Sequence, residues 1–144
     1  MQPNSAAVRS DQLSENAGAD MTESSNLQGL KVLVVEDETI VAMLLEQMLE
    51  ELGCEVVGVA GQVGPATELA RTAEMDVAIL DMNLGGQSVD PVAEALAARA
   101  APFVFASGYG EDGLTARWRG RPVLTKPFRL EQLRQSLAAA VGAV

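Results

Sequence analysis

Five short apolar runs alternate along the chain with stretches of helical periodicity, and this alternation restricts the fold more than any other feature. The runs cover residues 30–35, 56–60, 76–80, 103–106 and 122–125. Runs of this length bounded by turn residues predict buried strands. Strands alternating with helices predict a parallel sheet covered by helices on both faces. The sequence therefore predicts an α/β fold: a flavodoxin-like (βα)5, doubly wound parallel five-stranded sheet in the order 2-1-3-4-5.

The helical stretches differ in how clearly their periodicity can be read. After the first run, apolar residues recur at three- and four-residue spacing, which predicts one apolar helix face. Its members are Ile40, Val41, Leu44, Leu45, Met48, Leu49 and Leu52. Further helices are predicted at 66–73, from Asp90 onward, and after residue 129. A helix over 111–119 is interrupted by glycine and is expected to be short.

The two ends of the chain have different compositions. Residues 1–28 are rich in Ser, Asn, Ala, Gln and acids and lack an apolar period, which predicts a disordered tail. Residues 29–144 are predicted to form one domain, and no output domain is expected after it. The sequence has no apolar run of membrane-spanning length, no secretory signal and only one cysteine, so a cytoplasmic protein with no membrane contact is expected.

The formal net charge of −10 argues against general nucleic-acid binding. The last 31 residues nevertheless carry six basic residues and one acid. This end either docks an acidic partner or is an ordinary solvated surface. The chain contains no histidine, so any histidine chemistry must come from a partner.

Polar residues follow four of the predicted strands: Glu36 and Asp37, then Asp81, Ser107 and Lys126. Each residue alone has an ordinary explanation, such as a favourable charge at a helix N-terminus or a serine turn. The carboxyl ends of parallel strands, however, meet at one edge of the sheet, where ligands bind. Their joint placement on four strand ends therefore predicts a site.

Three carboxylates at one edge repel one another unless a cation lies among them. The available ligands are hard oxygens, which favour Mg²⁺. The predicted ligands are the carboxylates of Glu36, Asp37 and Asp81 and the main-chain carbonyl of Asn83. A carboxylate can act as the nucleophile towards a phosphoryl group, so Asp81 is the predicted phosphoacceptor. Lys126 and Ser107 are predicted to bond the phosphoryl oxygens.

These residues resemble those of a bacterial response-regulator receiver domain. The resemblance covers about residues 30–141 and rests on Glu36-Asp37, on Asp81 in Leu-Asp-Met-Asn, on Ser107 after Phe-Ala, and on Lys126-Pro127-Phe128. It implies that Asp81 takes its phosphoryl group from a sensor histidine kinase or a histidine phosphotransfer protein. It also implies that Ser107 moves towards that group, and that the Lys126–Pro127 peptide bond is cis.

The resemblance also implies how the signal leaves the domain. The face formed by the fourth helix, fifth strand and fifth helix would shift and bind a downstream protein. Draining phosphate from a shared kinase is an alternative role, and a homodimer is left open. A different class of protein, a Mg²⁺-dependent phosphohydrolase with an aspartyl-phosphate, typically has an acid two residues after the nucleophile. Asn83 occupies that position.

A narrower resemblance lies in Phe-Ala-Ser-Gly-Tyr at 105–109, which is similar to a branch of single-domain regulators marked by Phe-Ala-Thr-Gly-Tyr. Ser107 keeps the hydroxyl of the threonine. Val123 stands where the family usually has an aromatic switch residue. Tyr109 is predicted either to take over that role or simply to cover the loop. Trp118 is expected to pack in the core, with a partner-facing anchor among neighbouring arginines as the alternative. Cys54 is expected to be a small buried residue.

Overall fold

Five parallel strands form the central sheet of the computed structural model, which describes residues 27–108 and 116–142. In chain order they are β1 (Lys31–Val35), β2 (Glu55–Ala60), β3 (Val77–Asp81), β4 (Phe103–Ser107) and β5 (Val123–Thr125). Their order across the sheet is β2-β1-β3-β4-β5. The predicted fold class and strand order are thereby confirmed.

Helices cover both faces of this sheet. They are α1 (Thr39–Glu51), α2 (Val63–Thr72), α3 (Asp90–Ala98) and α4 (Leu130–Ala140). The predicted helix over 111–119 lies largely outside the described residues, and its described part is a single 3-10 turn, Ala116–Trp118. The helix predicted after residue 129, the fifth in the sequence-based order, is therefore the fourth α-helix of the described residues and is named α4. No helix within 27–108 or 116–142 is long and apolar enough to span a membrane.

The core has two layers because successive side chains of a strand point to opposite faces of the sheet. Leu33 and Leu80 pack with α2 and α3 on one face, whereas Val34 and Ile79 pack with α1 and α4 on the other. Full burial of each such side chain stabilises the fold by about 1.5–3 kcal/mol. Leu27, at the end of the segment predicted as a tail, is also fully buried in the second layer.

Two predictions about single residues are confirmed. Trp118 is only 6% exposed and packs in the core layer beside α3. Cys54 is buried, its thiol donates to the main-chain oxygen of Leu27, and burial raises the pKa of this thiol to about 11. A thiol that stays protonated at neutral pH is a poor nucleophile, so Cys54 is structural.

Helix α2 begins at Val63, three residues before the predicted start. Gly64 and Pro65, which precede the predicted start, lie in the first turn of this helix. A proline is accepted there because the first N–H groups of a helix have no partner within it.

The apolar face predicted for α1 is only partly covered by the core. Leu45 and Leu49 are buried, but Ile40 is 81% exposed and Leu44 is 52% exposed. Met43 is also exposed. The sheet covers only the side of α1 that carries Ala42, Leu45 and Leu49, so the predicted apolar face extends beyond the packed side to Ile40 and Leu44.

Two neighbouring leucines, the buried Leu45 and the exposed Leu44, test the difference in burial between the two sides of α1. Leu45→Ala should lower the free energy of unfolding by about 2–5 kcal/mol, because it leaves a cavity in the core. Leu44→Ala, the matched change on the exposed side, should shift it by no more than about 0.5 kcal/mol. Urea unfolding of both variants checks the prediction. Equal losses would contradict the described burial.

Candidate functional site

The carboxyl edge of the sheet gathers the polar residues that follow the strands. Asp81 is the last residue of β3, Ser107 is the last residue of β4, and Glu36 and Lys126 directly follow β1 and β5. Glu36, Asp81 and Ser107 are buried, with at most 9% of each residue exposed. The parallel order explains the convergence, because β1, β3, β4 and β5 all end at this edge.

Lys126 connects two of the acids. Its Nζ lies 2.9 Å from Glu36 Oε1 and 3.4 Å from Asp81 Oδ2. The main-chain N–H of Lys126 donates to the carbonyl of Ser107 at 2.9 Å, which fixes the start of this loop to the end of β4. The Lys126–Pro127 peptide bond is cis, as the resemblance implied.

The acids form a compact group of oxygen donors. One carboxylate oxygen each from Glu36, Asp37 and Asp81 lies within 4.8 Å of the others. The donor set consists of hard oxygens, with Asp37 exposed and therefore accessible from solvent. These features fit Mg²⁺, which uses one or two carboxylates and keeps several waters.

The pKa of Asp81 reflects its burial and its closeness to a second acid. Burial and the neighbouring Glu36 carboxyl group raise the pKa of Asp81 to about 6, against the opposing effects of the Asn83 amide and the Lys126 ammonium. Burial lowers the pKa of Lys126, but the carboxylates of Glu36 and Asp81 outweigh it, so the pKa lies above its usual value. Lys126 therefore stays charged and offsets part of the negative charge.

Main-chain contacts hold the acidic pair after β1. The N–H of Glu36 donates to the carbonyl of Ala60 at 2.9 Å, and the N–H of Glu38 donates to Glu36 Oε2 at 3.2 Å. Gly61 allows a close approach from β2, since a Cβ there would lie 3.3 Å from the Cα of Asp37 and from the Glu36 carbonyl. Both acids are thus held from the side of β2 as well as by β1.

Residues 83–88 form a β-hairpin whose two short strands are not among the five predicted from the sequence. Asn83–Leu84 pairs with Gln87–Ser88, and Gly85 and Gly86 both have positive φ in the two-residue turn. A Gly-Gly pair between short strands is a signal for this turn, so the hairpin was detectable. Asn83 Oδ1 accepts the N–H of Gly86 at 2.7 Å, which further closes the turn.

The hairpin forms one wall of a cavity of about 400 Å³ beside the nucleophile candidate. Asn83 also donates its main-chain N–H to Asp81 Oδ1 at 3.2 Å. The lining residues are Asp81, Met82, Asn83, Gly86, Gln87, Ser88, Ser107 and Gly108. Gln87 and Ser88 were missed from the sequence, because a loop without an assigned conformation gives no indication of which side chains face the site.

Of the two positions considered for an aromatic switch, only Val123 lies within the described part of the chain. Tyr109 lies outside the described residues. Val123 lies on β5 opposite Phe105 of β4 and is partly buried. The structure therefore brings together Glu36, Asp37, Asp81 and Lys126, and it places Ser107 and Asn83 in the same cavity wall as Asp81.

Comparison with known proteins gives the family. The model of the response regulator receiver domain family matches residues 32–138. The chain belongs to this family. Receiver domains are phosphoacceptor switches of two-component systems.

Among solved structures, SdrG from Sphingomonas melonis is 46% identical, with a TM-score of 0.71, over 78% of this chain and 97% of SdrG. A second solution structure of SdrG shows a BeF3-activated conformation. The receiver domain of PhyR from Erythrobacter litoralis is 29% identical, with a TM-score of 0.69, over 81% of this chain and 93% of that domain.

A curated relative is the transcriptional regulatory protein PdtaR of Mycobacterium tuberculosis. It is 34% identical over 116 residues, which represent 78% of this chain and 57% of PdtaR. The chain thus spans little more than half the length of that regulator. What the two proteins share is the receiver domain.

The raised pKa predicts a pH-dependent effect of Asp81→Asn on stability in metal-free buffer. Because protonated Asp81 is favoured in the folded state, its contribution to stability is greatest below pH 3.8 and is lost as pH rises through about 6. Asp81→Asn should therefore be more stable than the parent by on the order of 1–3 kcal/mol near neutral pH. The difference should shrink towards about pH 4.

Urea unfolding of both proteins across this pH range, with a chelator present, measures the difference. A gain for Asp81→Asn that is the same at every pH would contradict the raised pKa of Asp81.

Proposed function

We propose that the chain is a response regulator whose Asp81 accepts a phosphoryl group from a phosphohistidine donor in the presence of Mg²⁺. One observation carries the proposal: Lys126 Nζ lies within 3.4 Å of Asp81 at an edge where three carboxylates lie within 4.8 Å of one another. A cation and a cluster of acids around one buried carboxylate suit phosphoryl transfer, which depends on positioning and charge neutralisation.

In the proposed reaction, an Asp81 carboxylate oxygen forms a bond to phosphorus. The bond between phosphorus and the donor's imidazole nitrogen breaks, and that nitrogen takes up a proton as it leaves. The Lys126 ammonium pairs with one phosphoryl oxygen and the Ser107 hydroxyl donates to another. The absence of histidine from the chain agrees with a donor in trans, either a sensor histidine kinase or a histidine phosphotransfer protein.

Mg²⁺, when bound, would neutralise charge on the phosphoryl oxygens. The ligands that we propose are the carboxylates of Glu36, Asp37 and Asp81 and the main-chain carbonyl of Asn83. The role of this chain's residues is to hold the oxygens in place: β1 and β3 fix two of the acids, and the hairpin fixes Asn83.

We propose that the donor docks on α1. Ile40, Met43 and Leu44 are exposed there, and an adjoining apolar cavity of about 350 Å³ reaches Lys126, Pro127 and Phe128. Exposed apolar patches of this kind mark interaction sites. Because the patch borders Lys126, a donor helix seated on it can bring a phosphohistidine to Asp81.

The output is proposed to be protein–protein interaction through the face of β5 and α4, the predicted fifth helix. The last 31 residues, to which both elements belong, carry six basic residues and one acid. A phosphate-sink role uses the same chemistry without this face. The two roles separate in the cell: loss of Asp81 abolishes signalling in the first and increases phosphate flow to a rival regulator in the second. For both roles we propose that residues 29–144 form the receiver domain and that it meets its donor in the cytoplasm.

The phosphohydrolase alternative is disfavoured by Asn83. Its side chain cannot supply a proton as a general acid, and its Oδ1 accepts the N–H of Gly86. The proposal is therefore a switch that is phosphorylated and not an enzyme that turns over phosphate esters.

Incubation with Mg²⁺ and a small acyl phosphate tests the acceptor. Intact-mass measurement should show one added phosphoryl group on the parent chain, a slower rate for Lys126→Ala, and no adduct on Asp81→Asn. Asp76→Asn serves as the control for loss of an aspartate, because Asp76 precedes β3 and bonds the N–H of Lys31, away from the site. No adduct from this donor or from a phosphorylated kinase would overturn the proposal.

Docking on α1 predicts that one substitution there slows phosphoryl transfer from a protein donor but not from a small molecule. Leu44→Asp should slow transfer from a phosphorylated histidine kinase or phosphotransfer protein by at least about tenfold, since it places a charge in an apolar contact. Labelling by a small acyl phosphate, which needs no docking, should be unchanged. Gln47→Asp, which adds the same charge at another exposed position of α1, is the control. Equal slowing with both donors would contradict docking at Leu44.

A further inference from the structure

We propose that Trp118, through its hydrogen bond to Asp90, couples the phosphoryl site to the surface around residues 116–121. The inference rests on the proposed phosphorylation of Asp81. In the unphosphorylated protein the indole is locked against α3, and phosphorylation releases it. Val123 is aliphatic, so an aromatic switch in this chain would have to use a side chain at another position, and Trp118 is an aromatic residue within the described part of the chain.

Trp118 is held by contacts on several sides. Its Nε1–H donates to Asp90 Oδ1 at 3.0 Å, and the residue is 6% exposed. Its ring lies edge-on to Phe103, with 5.7 Å between ring centroids, and tilted against Phe105 at 6.2 Å. A buried indole N–H needs an acceptor, because an unmade hydrogen bond in the interior is costly. Asp90 is therefore the contact that fixes the orientation of the indole.

The first connection to the phosphoryl site runs along β4. Phe103, Phe105 and Ser107 alternate along this strand and therefore point to the same face of the sheet. Phe103 and Phe105 are the two rings that contact Trp118, and Ser107 lines the cavity beside Asp81. If Ser107 donates to a phosphoryl oxygen as proposed, a movement of β4 at Ser107 would act along this face on the two rings that pack on Trp118.

The second connection runs through the hairpin to the other end of the Trp118 hydrogen bond. Asn83 donates its N–H to Asp81 Oδ1 at 3.2 Å and pairs with Ser88 across the hairpin. Ser88 Oγ accepts the N–H of Asp90 at 3.1 Å. Conversion of Asp81 to an acyl phosphate weakens its oxygen as an acceptor for Asn83, because a charged acceptor makes the stronger bond. Both partners of the Asp90–Trp118 bond are thus linked to the nucleophile.

The surface above the indole carries positive charge. The Arg117 guanidinium lies 4.9 Å from the Trp118 ring centroid, and it forms an ion pair with Glu94 of α3. The Arg121 guanidinium lies 4.2 Å from the Phe103 ring centroid. Release of Trp118 would therefore reposition the arginines that a downstream partner meets.

The sole tryptophan of the chain provides the first measurement. Acrylamide quenching of its fluorescence should increase when the 144-residue chain is phosphorylated by a small acyl phosphate with Mg²⁺. Intact mass is measured on the same sample. An adduct without a change in quenching would overturn the coupling and leave the proposed function standing. No adduct on the parent chain would overturn both.

Variants of Asp90 provide the second measurement, with beryllofluoride as a stable phosphoryl analogue. Because the bond exists in the unphosphorylated state, Asp90→Ala should raise the affinity for beryllofluoride by about fivefold or more. Asp90→Asn, which keeps the acceptor oxygen, should stay near the parent. Glu68→Ala, which removes a carboxylate on α2 that pairs with Arg71, controls for the lost charge.

A third variant covers the case in which Asp90→Ala does not fold. Trp118→Phe keeps an aromatic ring but removes the N–H, and it should raise the beryllofluoride affinity in the same direction, measured by calorimetry. Parent-like affinity in a folded Asp90→Ala or Trp118→Phe would overturn the proposal.

Discussion

The carboxylates of Glu36, Asp37 and Asp81 lie within 4.8 Å of one another, and the rest of the structure depends on holding them there. Like charges at this separation repel, and burial of Asp81 makes its charge still less favourable. Lys126 offsets part of this cost from 2.9 Å and 3.4 Å, and the raised pKa of Asp81 shows that the compensation is incomplete. A further cation would complete the compensation, which agrees with the Mg²⁺ that we propose for this site. Two apolar core layers supply the stability that the edge itself does not.

The sheet separates the tasks that we assign to the domain. Helix α1, with its exposed Ile40 and Leu44, covers one face, whereas α3 and Trp118 lie on the other. Asp81 stands between them at the edge. A donor on α1 would therefore not occupy the surface around Trp118. This arrangement agrees with a switch that exchanges one partner for another, since each partner needs its own face.

Much of this could be predicted from the sequence because it depends on local patterns. The apolar runs give the strands, and the strand ends give Glu36, Asp81, Ser107 and Lys126, since parallel topology brings such ends together. Periodicity also found the apolar face of α1, but not that Ile40 remains exposed, because a pattern does not show what covers it. Trp118 and Asp90 are 28 residues apart, and only the folded chain reveals such a pair.

The identity of the acceptor is the claim on which the rest depends, and chemical trapping tests it most directly. Borohydride reduces an acyl phosphate on aspartate to homoserine, so the position of homoserine in the sequence marks the phosphorylated residue. After reaction with Mg²⁺ and an acyl phosphate, reduction and peptide sequencing by mass spectrometry should place homoserine at position 81 alone. Homoserine at position 37 or at another aspartate, with Asp81 unmodified, would contradict the account.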